Sequence, residues 1–272
     1  MDWLQTLVLA IIQGLTEFLP VSSSAHLILP AQLLDWEDQG LAFDVAVHLG
    51  TLIAVLWYYR KMLIAMVQGA FQGVAQKQMN EDLRLGLLLV WATLPAVIIG
   101  FLGKDFIQEY TRDITLIATT TLVFGVLMGV AERRGSNSIE LFKVGLGLAT
   151  LVGLAQALAL IPGTSRSGIT ITAALLLGFR REAAANFSFL LSIPIILGAL
   201  VLMSFDLANE AQLFTHVQLL VACIVSGVVG YISIAAFVGF ISRFGVMSFV
   251  YYRVALALVL FAFFVPWQQL MA

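Results

Sequence analysis

The stretch Gln13-Gly-Leu-Thr-Glu17-Phe-Leu-Pro20-Val-Ser22-Ser23-Ser24-Ala-His26 sets a carboxylate, three consecutive hydroxyls and an imidazole in apolar surroundings. Ionisable groups are expensive in hydrocarbon, so these side chains are expected to face a protein-lined cavity that takes a polar ligand. A second polar interruption, Pro162-Gly-Thr164-Ser165-Arg166-Ser167-Gly-Ile-Thr170, adds a guanidinium and further hydroxyls. Ser22, Ser23 and Ser24 can cap one helix start, and Thr164, Ser165 and Ser167 another. Six hydroxyls nevertheless exceed what two caps require. Together with the fork of donors on Arg166 and the free N–H groups of two helix starts, they suit a phosphate or diphosphate.

Gln13 and Glu17 stand one helical turn apart and can direct two oxygens at one point. Oxygen donors suit Mg²⁺ or Ca²⁺, which bind through few carboxylates plus substrate phosphates. Glu17 can equally pair with Arg166, and the two arrangements can coexist. His26 lies within a turn of the serines, where it can deprotonate a hydroxyl, protonate a leaving group or itself take a phosphoryl group. Asp44 and His48 have the same one-turn spacing and are read as groups that orient or balance the site. His216 is read as a loop residue and the single cysteine, Cys223, as packing, since it has no disulfide partner.

The elements that must position these groups are membrane helices. The chain has 272 residues, 61% of them hydrophobic and 11% charged, with a mean hydropathy of +0.99. Soluble domains carry about 25% charged residues, so this composition is that of a polytopic membrane protein. A net charge of -2 supplies no bulk field for nucleic acid. Asp2 precedes the first apolar run and no Lys or Arg comes before Arg60, so that run lacks the basic flank of a signal peptide and is expected to stay in the mature protein.

Hydropathy divides the chain into two broken hairpins and six crossings, within one membrane domain over 1–272. Trp3 to Leu19 and the run resuming after Ser24 to Leu34 are expected as two half-helices of a re-entrant hairpin. Crossings are expected at Leu41 to Tyr58, at Arg84 to Gly103 with a kink at Pro95, and near Thr115 to Ala131. Met66 to Asp82 reads as a Gln-rich loop with some amphipathic helix at the interface. A second hairpin follows, Val144 to Ile161 broken at Pro162 to Ser167 and resuming to Gly178, then crossings at Ala185 to Ser204, Val217 to Ile241 and near Ser248 to Val265.

Gln13, Leu15, Pro20, Ser23 and Phe43 recur at a near-constant offset as Gln156, Leu158, Pro162, Ser165 and Phe187. The halves, about 1–134 and 143–272, therefore read as repeats. With three crossings each they must be of inverted topology, the arrangement in which a site forms between repeats near the midplane. Basic residues gather in alternate loops, at Arg60, Lys61, Lys77 and Arg84, at Arg133, Arg134 and Lys143, at Arg180 and Arg181, and at Arg243. Those loops are expected to be cytoplasmic, and both termini outside. The intervening loops carry only Lys104 and Arg112, and Asp206 to Phe214 has acids and no cation.

The two polar segments, Gln13 to His26 and Pro162 to Thr170, closely resemble the signature segments of the bacterial undecaprenyl-diphosphate phosphatases of the bacitracin-resistance type. The resemblance covers essentially the whole chain in length, span pattern and repeat. It implies removal of the terminal phosphate from undecaprenyl diphosphate, recycling the lipid carrier of peptidoglycan synthesis, in the bacterial cytoplasmic (inner) membrane, with a divalent cation. It also implies that Glu17, Ser23, His26 and Arg166 form the catalytic group, with Ser22, Ser24, Ser165, Ser167 and Thr170 around the diphosphate. Glu17 and Gln13 would hold the metal, although Gln13 stands where the family often has Glu. The nucleophile, Ser23, His26 or water, stays open, as does a homodimer. The rival class is a lipid-phosphate transporter or flippase on the same architecture, which would bind the head group without cutting it.

Overall fold

The computed structural model describes residues 2–34, 36, 39–103, 113–206 and 214–265. The protein is all-α, with no named strand among the described residues. In chain order the helices are α1 (Trp3–Thr16), α2 (Ser23–Leu34), α3 (Gly40–Tyr58), α4 (Arg60–Gln76), α5 (Glu81–Leu102) and α6 (Ile114–Arg134). They continue as α7 (Leu146–Ala157), α8 (Arg166–Leu176), α9 (Arg181–Asp206), α10 (His216–Phe244) and α11 (Met247–Phe263).

Local chemistry sets several of these starts and stops. Asp2 and Gln5 form a capping box at α1, and Thr215 and Gln218 form another at α10. Asn80 caps α5, with Glu81 and Asp82 in its first turn, and Asp113 caps α6, which ends in Arg133 and Arg134, so charge follows the helix dipole at both. Both hairpins break where expected: α1 stops at Thr16 and α2 starts at Ser23, while α7 ends in a short 3-10 turn, Leu158–Leu160, before α8 starts at Arg166.

Five helices, α3, α5, α6, α9 and α10, are long and apolar enough to cross a membrane among the described residues. The expected crossing near Ser248 to Val265 is the shorter apolar helix α11, of 17 residues. Helix α5 continues through Pro95. One expectation is corrected in part: of the stretch expected as a Gln-rich loop, Met66 to Asp82, the residues as far as Gln76 are helical, 77–80 form the connection, and Glu81 and Asp82 already belong to α5. The cause is packing that composition hides. Gly69 and Gly73 lie against the start of α5, where a Cβ would fall 2.8 Å from Asp82 and 2.7 Å from Leu83, and the Asn80 side chain donates to the Gly69 carbonyl at 2.6 Å.

The packing alternates between the halves. Helix α10 lies against α1 and α3, α5 lies against α7 and α9, and α6 packs on both α8 and α11. Backbones come close because the facing residues are small, as packing between membrane helices requires. A methyl group at Gly153 on α7 would collide with the backbone of Ala92 on α5, whereas Gly147 on the same helix has nothing within 4 Å.

The basic loops meet at one end. Arg84 donates to the Phe142 carbonyl, Lys143 lies 3.9 Å from Glu81, Arg180 3.1 Å from Glu140 and Arg181 2.5 Å from Glu132. Lys104 and Arg112, and residues 207–213 of the acidic loop, lie outside the described residues.

The glycine pair on α7 gives a direct test of this packing. Gly153→Ala is expected to lose about 1–3 kcal/mol by overpacking, while Gly147→Ala is expected to be neutral or to gain up to about 1 kcal/mol from helix propensity. Thermal unfolding of the two variants in detergent measures the difference.

Candidate active site

The tips of the two hairpins are built alike. At each, a serine sits in the left-handed region immediately before the returning helix: Ser22 at φ 74° before α2, and Ser165 at φ 70° before α8. Such a conformation in a non-glycine residue costs about 1–3 kcal/mol and persists only when its surroundings over-determine it. Gly163, at φ 82°, makes the second turn possible, because a Cβ there would strike the Ile117 carbonyl on α6. The first residue of each returning helix, Ser23 in α2 and Arg166 in α8, thereby projects from a helix start, where backbone N–H groups have no partner within the helix.

Both residues meet on one carboxylate. Arg166 Nη2 lies 2.9 Å from Glu17 Oε1, and the Ser23 hydroxyl donates to Glu17 Oε2 at 3.2 Å. Gln13 Nε2 donates to the same Oε2 at 3.0 Å, and His48 Nε2 stands 3.8 Å from it. The other arm of the Arg166 guanidinium donates to the Ser188 carbonyl at 3.3 Å. Glu17 and Arg166 are 8% and 13% exposed at their side chains, so the pair is shielded but reachable. This is an alcohol bonded to a base whose orientation is fixed by third groups, the arrangement of an activated nucleophile.

His26 faces elsewhere. Its Nδ1 lies 2.7 Å from the Ser22 carbonyl, which can only accept, so Nδ1 carries a proton and Nε2 is the free lone pair of the neutral ring. That lone pair takes the Tyr252 hydroxyl at 2.5 Å, and the two rings stack with centroids 5.6 Å apart. In this state Glu17, not His26, holds the Ser23 hydroxyl.

The remaining predicted residues knit the tips together. Ser167 donates to the Leu19 carbonyl at 3.0 Å, joining the hairpins directly. Ser165 caps α8 by accepting from Gly168 N at 3.1 Å and contacts the Ser167 hydroxyl at 3.3 Å. The Thr170 hydroxyl lies 2.8 Å from the Arg166 carbonyl and 2.6 Å from the Ser188 hydroxyl. Ser22 is buried, and the side chain of Ser24 lies outside the described residues.

Three residues here had no assigned part in the sequence reading. Ser188 holds Arg166 and Thr170, Tyr252 holds His26, and Arg253 is fully buried against both tips. A signal for Arg253 did exist, an arginine inside the last apolar run, and the rule that drew attention to Glu17 applies equally to it.

Residues 6–259 match the family described as bacitracin resistance protein BacA. The chain belongs to this family. A relative, the undecaprenyl-diphosphatase of Alcanivorax borkumensis, is 58% identical over 260 residues, which is 96% of this chain and 98% of the relative. Over that length the match takes in both hairpins, including the two tips that converge on Glu17.

Arg166 is bound at two points by acceptors in different places, which a lysine cannot reproduce. Arg166→Lys and Arg166→Ala are each expected to lower turnover at least about a hundredfold, the scale of losing a donor to a developing anion. Phosphate release by the purified variants measures it.

Proposed function

We propose that this protein is an integral-membrane phosphatase that hydrolyses undecaprenyl diphosphate to undecaprenyl phosphate and inorganic phosphate, recycling the lipid carrier of peptidoglycan synthesis and thereby conferring bacitracin resistance. The observation that carries this reading is the meeting of Ser23 and Arg166, from two different hairpins, on the two oxygens of Glu17. Family membership and the name of the relative supply the substrate.

The chemistry is phosphoryl transfer, in which positioning and charge neutralisation supply most of the catalysis. The Arg166 guanidinium and the N–H groups at the starts of α2 and α8 bind the diphosphate oxygens. Ser23 Oγ attacks the terminal phosphorus as its proton passes to Glu17 Oε2. The bond from that phosphorus to the bridging oxygen breaks, and the electron pair leaves with undecaprenyl phosphate. Water then attacks the phosphoserine, releasing inorganic phosphate and restoring the hydroxyl. The contact of 3.2 Å between Ser23 and Glu17 favours this order over attack by His26, whose Nε2 is occupied by Tyr252.

The residues present fit a hard divalent cation, Mg²⁺ or Ca²⁺. Gln13 Oε1 is buried with no partner beside Glu17, an oxygen-only pair of donors. Among the described residues no group of three or more His, Cys, Asp or Glu could hold a metal by itself. Gln13 and Glu17 would therefore hold the ion together with substrate phosphates, and its contribution is to neutralise diphosphate charge.

The packing pattern supports the inverted repeat. The partnership of α1 with α10 mirrors that of α7 with α5, and that of α3 with α10 mirrors that of α9 with α5. The gathering of basic loops at one end supports a multi-pass placement in the bacterial cytoplasmic membrane with that end in the cytoplasm and both termini outside.

Purified protein is expected to release phosphate from a polyisoprenyl diphosphate, and to do so more slowly with a chelator. Binding without release would make it a carrier of lipid phosphates instead. With substrate labelled in its terminal phosphate, rapid quenching is expected to trap label on the protein, to lose it in Ser23→Ala and to keep it in His26→Ala. Label that persists in Ser23→Ala would move the nucleophile elsewhere.

A further inference from the structure

Arg253, in the second turn of α11, is 1% exposed. Among the described residues no carboxylate pairs with it. Its guanidinium is held by three backbone carbonyls from three separate segments: Nε donates to Thr121 at 3.2 Å, Nη1 to Pro20 at 3.4 Å and Nη2 to Gly163 at 3.0 Å. Pro20 lies in the first tip, Gly163 in the second, and Thr121 on α6 beside them. The Thr121 hydroxyl also donates to the Gly163 carbonyl, at 3.2 Å, so the three segments form one network.

Two features mark this as a built arrangement. Room for the side chain comes from glycines: a Cβ at Gly125 would fall 2.9 Å from Arg253 Cβ, and one at Gly168 would fall 3.1 Å from Nη1. The bonded carbonyls also hold equivalent places in the folded tips, Pro20 preceding Ser23, the first residue of α2, by the same number of residues as Gly163 precedes Arg166, the first residue of α8. Both carbonyls sit where the backbone leaves helical geometry, so no helical N–H is aimed at them, and in hydrocarbon each needs a donor from elsewhere.

We infer that Arg253 is a positioning residue for the reaction: by bridging the Pro20 and Gly163 carbonyls it fixes the separation of the two tips at which Ser23 and Arg166 both reach Glu17. The inference rests on the phosphatase reading. A guanidinium suits the task because its donors are rigidly splayed and stay charged when buried, whereas an ammonium donates from one point. Misplacing reacting groups by about 1 Å can cost about a hundredfold in rate, so the defect belongs in kcat. Arg166 and the helix starts remain on their own hairpins to bind the diphosphate.

The test is Arg253→Lys, which keeps charge and bulk but cannot span three carbonyls, assayed by phosphate release across a range of lipid diphosphate concentrations. The expected result is a fall in kcat of about a hundredfold with KM changed by less than about threefold. A kcat within about threefold of the unsubstituted protein overturns the inference. So does a loss carried mainly by KM, which would make Arg253 a binder of substrate. Should Arg253→Lys fail to fold, Gly125→Ala decides, since it presses on Arg253 and removes no polar group. A fall in kcat of about tenfold supports the inference, and unchanged kinetics overturn it. Failure of the phosphatase reading is distinct, because the unsubstituted protein would then release no phosphate.

Discussion

The ion pair between Glu17 and Arg166 is the contact on which the rest of the site depends. Each charge alone would be costly in a membrane interior, and breaking a buried pair by removing one partner costs about 3–5 kcal/mol, mostly because the other is stranded. At 2.9 Å the pair resolves this for both hairpins at once, since its members come from opposite halves of the chain. It also leaves one carboxylate oxygen for the Ser23 hydroxyl and one guanidinium arm for the Ser188 carbonyl. In the proposed reaction a diphosphate arriving between the tips would meet a cation that already has an anionic partner, so no bare guanidinium has to persist in hydrocarbon before substrate binds.

The hairpins make such a pair possible because they end inside the protein. A continuous crossing would satisfy its own backbone and present side chains only sideways. A broken one presents its unpaired N–H groups end-on, together with the first residue of the returning helix. The left-handed serines Ser22 and Ser165 are the local cost of that geometry. The contacts that hold them lie between the tips: Ser167 on the Leu19 carbonyl, Thr121 on Gly163, and Arg253 on both turns. The hydroxyl-rich signature thus divides its labour. Ser23 faces the carboxylate that can activate it, while Ser165, Ser167 and Thr170 mainly secure the turn from which Arg166 projects.

Much of this was legible in the residues. The helix breaks follow from Pro20 and Pro162, the crossings from runs of apolar residues, and the meeting of Glu17 with Arg166 from the rule that buried charges must be matched. Helix α4 was missed in part because an amphipathic segment and a polar loop have similar composition, and only the fit of Gly69 and Gly73 against α5 separates them. The contacts of Tyr252 and Arg253 escape a sequence reading for a different reason, although the arginine itself stands out in an apolar run. Their partners His26, Pro20 and Gly163 lie far away in the chain, and local spacing carries no trace of such contacts. The assistance expected from His26 was set by proximity in sequence to the serines, whereas the tautomer fixed by the Ser22 carbonyl turns its lone pair toward α11.

The amide at Gln13 follows from the same charge balance. Its Nε2 lies 3.0 Å from Glu17 Oε2, so a second carboxylate there would face the first at hydrogen-bond distance. Like charges so close cannot both persist in a poorly solvated site without a cation between them. With the amide, the two tips and the buried α11 arginine hold one carboxylate and two guanidinium groups, an excess of positive charge before any metal binds. Such a site attracts a diphosphate directly. In the proposed reaction the unpartnered Gln13 Oε1 would offer a divalent ion a neutral ligand, and the anionic share of its coordination would have to come from Glu17 and the substrate. Metal affinity in this chain should accordingly rise with bound diphosphate, where a two-carboxylate version of the site would bind metal first and substrate after it.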